Sequence, residues 1–229
     1  MPSHNAKSRR SRAGTPERRT SSSSSSPERR DERKQRTRQA LLDAALALAA
    51  DRGFGSVSLR EVAREAQVVP TAFYRHFASM DELGQALVAQ SARALQPISR
   101  EIRPEQGEAA VDHAIDALIQ ATRRHRSELG FLAGERYGGV AVIRRAINTE
   151  MRLYAGELTA ELARFPDLSR LDTRDLRMGA ELITTAMTAW ILAVIEAPDV
   201  EAEAEVAETA RTQLRVIFVG LIELAANSA

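Results

Sequence analysis

Cysteine is absent from the 229 residues, which removes disulfide frameworks, thiolate zinc sites and cysteine nucleophiles from consideration. Aromatic side chains make up only 4% of the chain, and Gly and Pro together number 20, mostly between stretches of apolar periodicity. Leu, Ala, Arg and Glu dominate instead, and the composition reads as all-α. No run of about 18 apolar residues is present, so no membrane span is expected. The N-terminus is basic and serine-rich without an apolar core segment, which is not the pattern of a secretory signal, and the reading is a cytoplasmic protein.

Catalytic and metal-binding signatures are equally scarce. His4, His76, His113 and His125 form no cluster with ligand spacing, no Gly-x-Ser-x-Gly elbow occurs, and no phosphate-cradling glycine motif precedes a helix. Glu201, Glu203 and Glu205 read as a solvated acidic run. No metal or cofactor is therefore expected, and a helical enzyme is a remote alternative.

What is present is an uneven charge. The chain carries a formal +1, yet residues 1–38 hold twelve Lys or Arg against four Asp or Glu, a local +8 that leaves −7 for the rest. Such a split describes a basic arm that meets a polyanion, attached to a body that does not. Only two of the 32 basic residues are Lys; guanidinium forks suit phosphate and guanine, although the codon bias of a GC-rich genome gives the same composition. Residues 1–31, with the Ser21–Ser26 tract and paired arginines at 9–10, 18–19 and 29–30, offer nothing to a core and are expected to be disordered. The arm either adds nonspecific phosphate affinity or is a dispensable extension.

From Thr37 the pattern changes. Leu41, Ala44, Ala45, Leu48 and Ala49 recur at helical spacing and Gly53 supplies a stop. Ser58-Leu59-Arg60-Glu61 reads as a capping box opening a short second helix that buries Leu59, Val62, Ala63 and Ala66. Val68-Val69-Pro70 makes a turn, and a third helix is expected from about Pro70 to Phe77. Ser79 caps a fourth that continues to about Arg103.

Beyond Pro104 an amphipathic helix through Val111, Ala114, Ile115, Leu118 and Ile119 ends near His125. Leu129–Gly139, crowded with Gly130, Gly134, Gly138 and Gly139, is expected to be a break or loop. A striped helix from Val140 to Leu162 stops at Phe165-Pro166-Asp167, and two more patterns cover Leu176–Ile195 and Val206–Leu224. The wide apolar faces of these last two imply burial against a second subunit in a four-helix bundle across a two-fold, or else one larger internal core.

Residues 58–77 satisfy the needs of a helix-turn-helix, in which the second helix offers a clear polar face to the major groove. Phe73 and Phe77, four apart, can point inward and leave Thr71, Tyr74 and Arg75 outward. Arg75 can take guanine O6 and N7 or a phosphate, and Thr71 a thymine methyl or a backbone oxygen. Tyr74 and His76 suit phosphate hydrogen bonds that orient without reading bases; His76 alternatively packs at the helix end.

The stretches Leu59-Arg60-Glu61-Val62-Ala63-Arg64-Glu65-Ala66, Pro70-Thr71-Ala72-Phe73-Tyr74-Arg75-His76-Phe77 and Asp81-Glu82-Leu83 resemble the N-terminal domain of TetR-type regulators. Behind the arm at 1–31, which exceeds what the resemblance covers, the likeness implies a DNA-binding domain at 32–85 and an effector-binding and dimerising domain at 86–229. It implies DNA contacts by Arg36, Arg38, Ser58, Arg60, Pro70, Thr71, Ala72, Tyr74, Arg75 and His76, on a double-stranded operator that a two-fold dimer would make palindromic. Two departures stand out: Val69 replaces the usual serine cap and Ala72 a usual threonine, the first weakening the cap by about 1 kcal/mol.

The Pro-Thr-x-Phe-Tyr-Arg-His-Phe form is similar, more narrowly, to the fatty-acid-responsive repressors of the FabR and DesT kind, and Phe131–Gly139 is similar to an Arg-Glu-Arg-Ser-Gly stretch in them. That likeness implies a long-chain acyl thioester, such as an acyl-CoA, as effector and lipid-metabolism genes as targets. Leu118, Phe131, Leu132, Met151, Tyr154, Met187 and Trp190 would line an apolar tunnel, or simply pack as core. Arg136 between glycines either reaches a thioester or phosphate or makes a surface salt bridge. A regulator of the same architecture sensing a drug or aromatic compound is the alternative.

Overall fold

The computed structural model describes residues 27–100 and 109–227, and these form ten α-helices with short 3-10 turns and no strand. Helix α1 (Pro27–Arg52) buries Leu41, Leu42, Ala45 and Ala49 along one face. It starts ten residues before Thr37, so residues 27–31, expected to lack structure, are helical; residues 1–26 of the arm lie outside the described residues. Residues 29–36 are all exposed, so no buried stripe betrays this extension. A proline stands at its first position, where the missing N–H costs the helix nothing.

Gly53, at φ 79°, ends α1 and leads into a 3-10 turn at Phe54–Ser56. Three helices complete the N-terminal module: α2 (Leu59–Glu65), α3 (Pro70–Phe73) and α4 (Met80–Ala92). The long helix expected from Ser79 to about Arg103 is broken by a 3-10 turn at Arg93–Leu95, then resumes as α5 (Gln96–Arg100). Pro97 explains the break, since it lacks an N–H and crowds the preceding turn.

The C-terminal body comprises α6 (Ala109–Arg124), α7 (Arg126–Glu135), α8 (Ala141–Leu162), α9 (Thr173–Glu196) and α10 (Val200–Asn227). Helix α7 corrects the loop expected over Leu129–Gly139. Gly130 and Gly134 sit inside it, because burial of Leu129, Phe131, Leu132 and Ala133 outweighs the roughly 1 kcal/mol that each helical glycine costs. The chain breaks only after Glu135, where Gly138 and Gly139 lie.

The two parts share one apolar core. At their boundary α4 crosses α8 so closely that a Cβ on Gly84 would overlap Ile143 and the Phe54 ring, and Phe54 meets Phe131 edge-on at 6.1 Å. Arg211 reaches Asp116 at 2.6 Å and Arg215 reaches Asp112 at 2.7 Å, tying α10 to α6 along the surface. Helix α9 is long and apolar enough to cross a bilayer by length and composition, but half of that stretch is buried inside the protein.

Candidate DNA-reading helix and effector cavity

The helix-turn-helix is built from caps. Ser58 Oγ accepts from the Glu61 N–H while the Glu61 carboxylate accepts from both the Ser58 N–H (3.0 Å) and hydroxyl (2.7 Å). The same carboxylate takes Arg52 at 2.7 Å, pinning the start of α2 to the end of α1. The Ser58 hydrogen bonds come first and Arg52 second in holding Glu61 well below the usual carboxylate range, at about 2.

The turn between α2 and α3 is a Schellman cap. Val68 N–H reaches back to Ala63 C=O (2.8 Å) and Gln67 N–H to Arg64 C=O (3.1 Å), with Gln67 in the left-handed region at φ 56°. A glycine would sit there without strain; the glutamine costs about 1 kcal/mol. At the next helix start Val69 caps α3 with no side-chain bond, and Pro70 occupies the first position.

Helix α3 proper spans only Pro70–Phe73, shorter than the expected 70–77. Its continuation tightens into a turn in which Arg75 N–H bonds Ala72 C=O and His76 N–H bonds Phe73 C=O. The facing survives this tightening. Phe73 and Phe77 are 0% and 1% exposed with rings 5.8 Å apart, whereas Thr71, Tyr74 and Arg75 are exposed, Tyr74 by 63%.

The other candidate DNA contacts sit around this helix. Arg36, Arg60 and Pro70 are exposed and Ala72 is half-buried. Ser58 is exposed with its hydroxyl engaged in the cap. Arg38 lays its guanidinium over the Phe77 ring, 4.9 Å from the centroid. His76 is half-buried and its Nδ1 has no hydrogen-bond partner among the described residues. Desolvation, then the charges of Lys34, Arg38 and Arg75, hold its pKa below the ordinary histidine value.

In the C-terminal body α6, α8, α9 and α10 line a small apolar cavity of about 30 Å³, room for little more than a water molecule. Its walls include Ala114, Ile115, Leu118, Tyr154, Leu158, Met187, Trp190 and Phe218. Burial and the nearby Glu157 raise the Tyr154 pKa, keeping its phenol neutral. The Trp190 indole N–H donates to Gln213 at 2.6 Å.

Of the eight residues expected to bind a ligand, Leu118, Tyr154, Met187 and Trp190 line this cavity together. Phe131 and Leu132 are buried in the core of α7, Phe131 against Phe54. Met151 and Arg136 flank a separate surface groove between α8 and α9, and the Arg136 guanidinium donates to Thr188 at 3.0 Å. Sequence reasoning missed Leu158 and Phe218; the stripes containing them were visible, but which side of each helix faces the void follows only from how the helices cross. Among the described residues no group of acids and histidines is arranged to hold a metal.

A capped helix pair with a clear polar face is the geometry of a helix-turn-helix, and here it is carried on a helical body with an apolar void. Residues 41–87 match the family of bacterial regulatory proteins known as the tetR family. The whole fold is similar to a transcriptional regulator of Rhodococcus sp. Rha1 (TM-score 0.61, 20% identity, 82% of this chain and 96% of that one). It is also similar to a TetR family regulator of Agrobacterium tumefaciens (0.60, 17%, 79% and 98%). A third likeness is to the fatty acid degradation regulator FadR of Bacillus halodurans (0.59, 15%, 78% and 94%). Residues 41–87 thus carry the match to the tetR-family N-terminal domain, and the chain shares the fold of these transcriptional regulators.

Proposed function

We propose that the protein is a cytoplasmic homodimeric repressor that binds a palindromic operator through α3 and releases it in response to a long-chain acyl thioester, controlling genes of lipid metabolism. The observation that carries the DNA-binding part is the orientation of α3: two buried phenylalanines hold it while Thr71, Tyr74 and Arg75 face outward. In this reading Arg75 takes a guanine edge or phosphate, and Thr71 approaches a thymine methyl or backbone oxygen. Arg36, Arg38, Arg60 and His76 add phosphate contacts. The basic arm before Pro27 adds sequence-independent affinity.

Dimerisation is supported by the outer faces of α9 and α10, where Met178, Leu182, Val216, Val219 and Ile222 are 40–67% exposed. A face of that kind is suited to a second copy of the chain. Two recognition helices in one dimer meet consecutive grooves at a spacing of about 34–36 Å.

The acyl reading is supported by the apolar walls of the cavity and by the narrower likeness of residues 70–77 to fatty-acid-responsive repressors. The void is tight, so an acyl chain would have to part α8, α9 and α10, and that displacement is what would change the spacing of the recognition helices. An effector acts only through its different affinity for the two spacings; a coupling of about 1–3 kcal/mol alters operator affinity roughly 5- to 150-fold. Mass spectrometry of gently purified protein, with a panel of acyl-CoAs titrated against operator binding, tests this. A co-purified acyl species or a chain-length-dependent shift supports it. No response to any acyl chain discards the lipid effector in favour of another small molecule.

A further inference from the structure

We infer that Glu135 and Arg136, adjacent at the end of α7, form the link by which occupancy of the cavity reaches the DNA-reading helix; this rests on the regulator reading above. Glu135 Oε1 accepts a 2.6 Å hydrogen bond from the backbone N–H of Phe54, 81 residues away in the DNA-binding part. The approach is close because the preceding residue is Gly53: a Cβ there would stand 3.2 Å from that same oxygen. One helical turn earlier on α7, Phe131 meets the Phe54 ring edge-on. A ring and a carboxylate on one face of α7 thus grip a single residue.

Arg136 faces the other way. Its Nη1 donates to Thr188 Oγ1 at 3.0 Å, and Thr188 follows Met187, which lines the cavity. Parting α9 from its neighbours would therefore pull on Arg136, and the next residue back holds Phe54. Phe54 leads directly to the cap of α2, since its C=O accepts from Val57 N–H at 3.1 Å, one residue before Ser58. An acid at a helix C-terminus sits at the wrong end of the helix dipole, so helix stability gives no reason for Glu135 to stand there. The contact with Phe54 does.

A double-mutant cycle tests the link without an identified effector. Ala114→Leu, on the cavity wall contributed by α6, stands in for occupancy, and Glu135→Ala removes the grip. Operator affinity is read by fluorescence anisotropy on a duplex selected from genomic fragments. Ala114→Leu should change affinity about fivefold or more in the otherwise unsubstituted protein and less than about twofold beside Glu135→Ala. Glu135→Gln, which keeps an acceptor oxygen, should restore an intermediate response. Equal changes in both backgrounds, or no change in either, would overturn the link while leaving DNA binding intact. Absence of duplex binding by the unsubstituted protein would overturn the regulator reading and the link together. Where Ala114→Leu does not fold, Ala114→Val takes its place, and exchange of the Phe54 amide should quicken in either variant; unchanged protection contradicts the proposal.

Discussion

Removing the Phe73 ring should separate DNA binding from the rest of the fold. Phe73 is fully buried, 5.8 Å from Phe77 and 5.7 Å from Tyr74, and its carbonyl accepts from both His76 and Phe77. Helix α3 is only four residues long, far below the length at which a helix holds itself, so its position depends on this anchor. Phe→Ala at a fully buried site costs about 3–5 kcal/mol, a large part of the roughly 5–15 kcal/mol that stabilises a typical domain. The void at Phe73 lies in the DNA-binding part and leaves the helices around the cavity in place. Phe73→Ala should therefore lose operator binding in an anisotropy titration while most helical circular dichroism persists, with exchange of the α2 and α3 amides accelerated well beyond that of α8 and α9. Phe73→Leu should fall between. Operator affinity within about twofold of the unsubstituted protein would refute the argument that this ring fixes the reading helix.

Three further outcomes follow from the same geometry. Gln67→Gly relieves a left-handed residue that is exposed, and should stabilise by about 0.5–1 kcal/mol, a rise of a few degrees in Tm; a lower Tm would show that the glutamine side chain has a role of its own. The Glu61 carboxyl should titrate near pH 2 by NMR, against 4.5 ordinarily. Because the folded pKa is the depressed one, its contribution to the cap is complete above about pH 4.5 and fades as pH falls through about 2. Ser58→Ala should move that titration upward, and an ordinary midpoint in the unsubstituted protein contradicts the capping box. Deleting residues 1–26 should weaken binding to all duplexes alike and flatten its salt dependence by about 0.9 in log–log slope for each phosphate the arm neutralises; an unaltered slope would make the arm dispensable.

The parts of the fold legible in the sequence are those written in caps and stripes. Ser58, Glu61 and Ser79 announce two helix starts, and the spacing of Val140 to Leu162 marks α8 within one residue. The errors arise where tertiary burial overrides a local signal. Gly130 and Gly134 suggest a loop, yet four buried neighbours keep α7 helical. The turn between α2 and α3 was readable from Pro70, but not its left-handed residue, because glutamine carries no preference for that conformation. The outward set on α3 follows from two phenylalanines four residues apart. The cavity does not, since Phe131 and Trp190 look alike as apolar residues on helices and only the crossing of α6, α8, α9 and α10 separates one that packs on Phe54 from one that faces the void.

The most direct test of the outward face of α3 is selection of genomic fragments by the purified protein and by its Arg75→Ala variant, sequenced side by side. The unsubstituted protein should enrich a two-fold symmetric sequence with half-sites about one helical turn apart. The variant should bind the same sequence more than tenfold more weakly, a drop of the size of one good base-reading interaction, with helicity and oligomeric state unchanged. Enrichment of no sequence, or of the same sequence with equal affinity by the variant, would contradict the assignment of this helix as the reader of DNA.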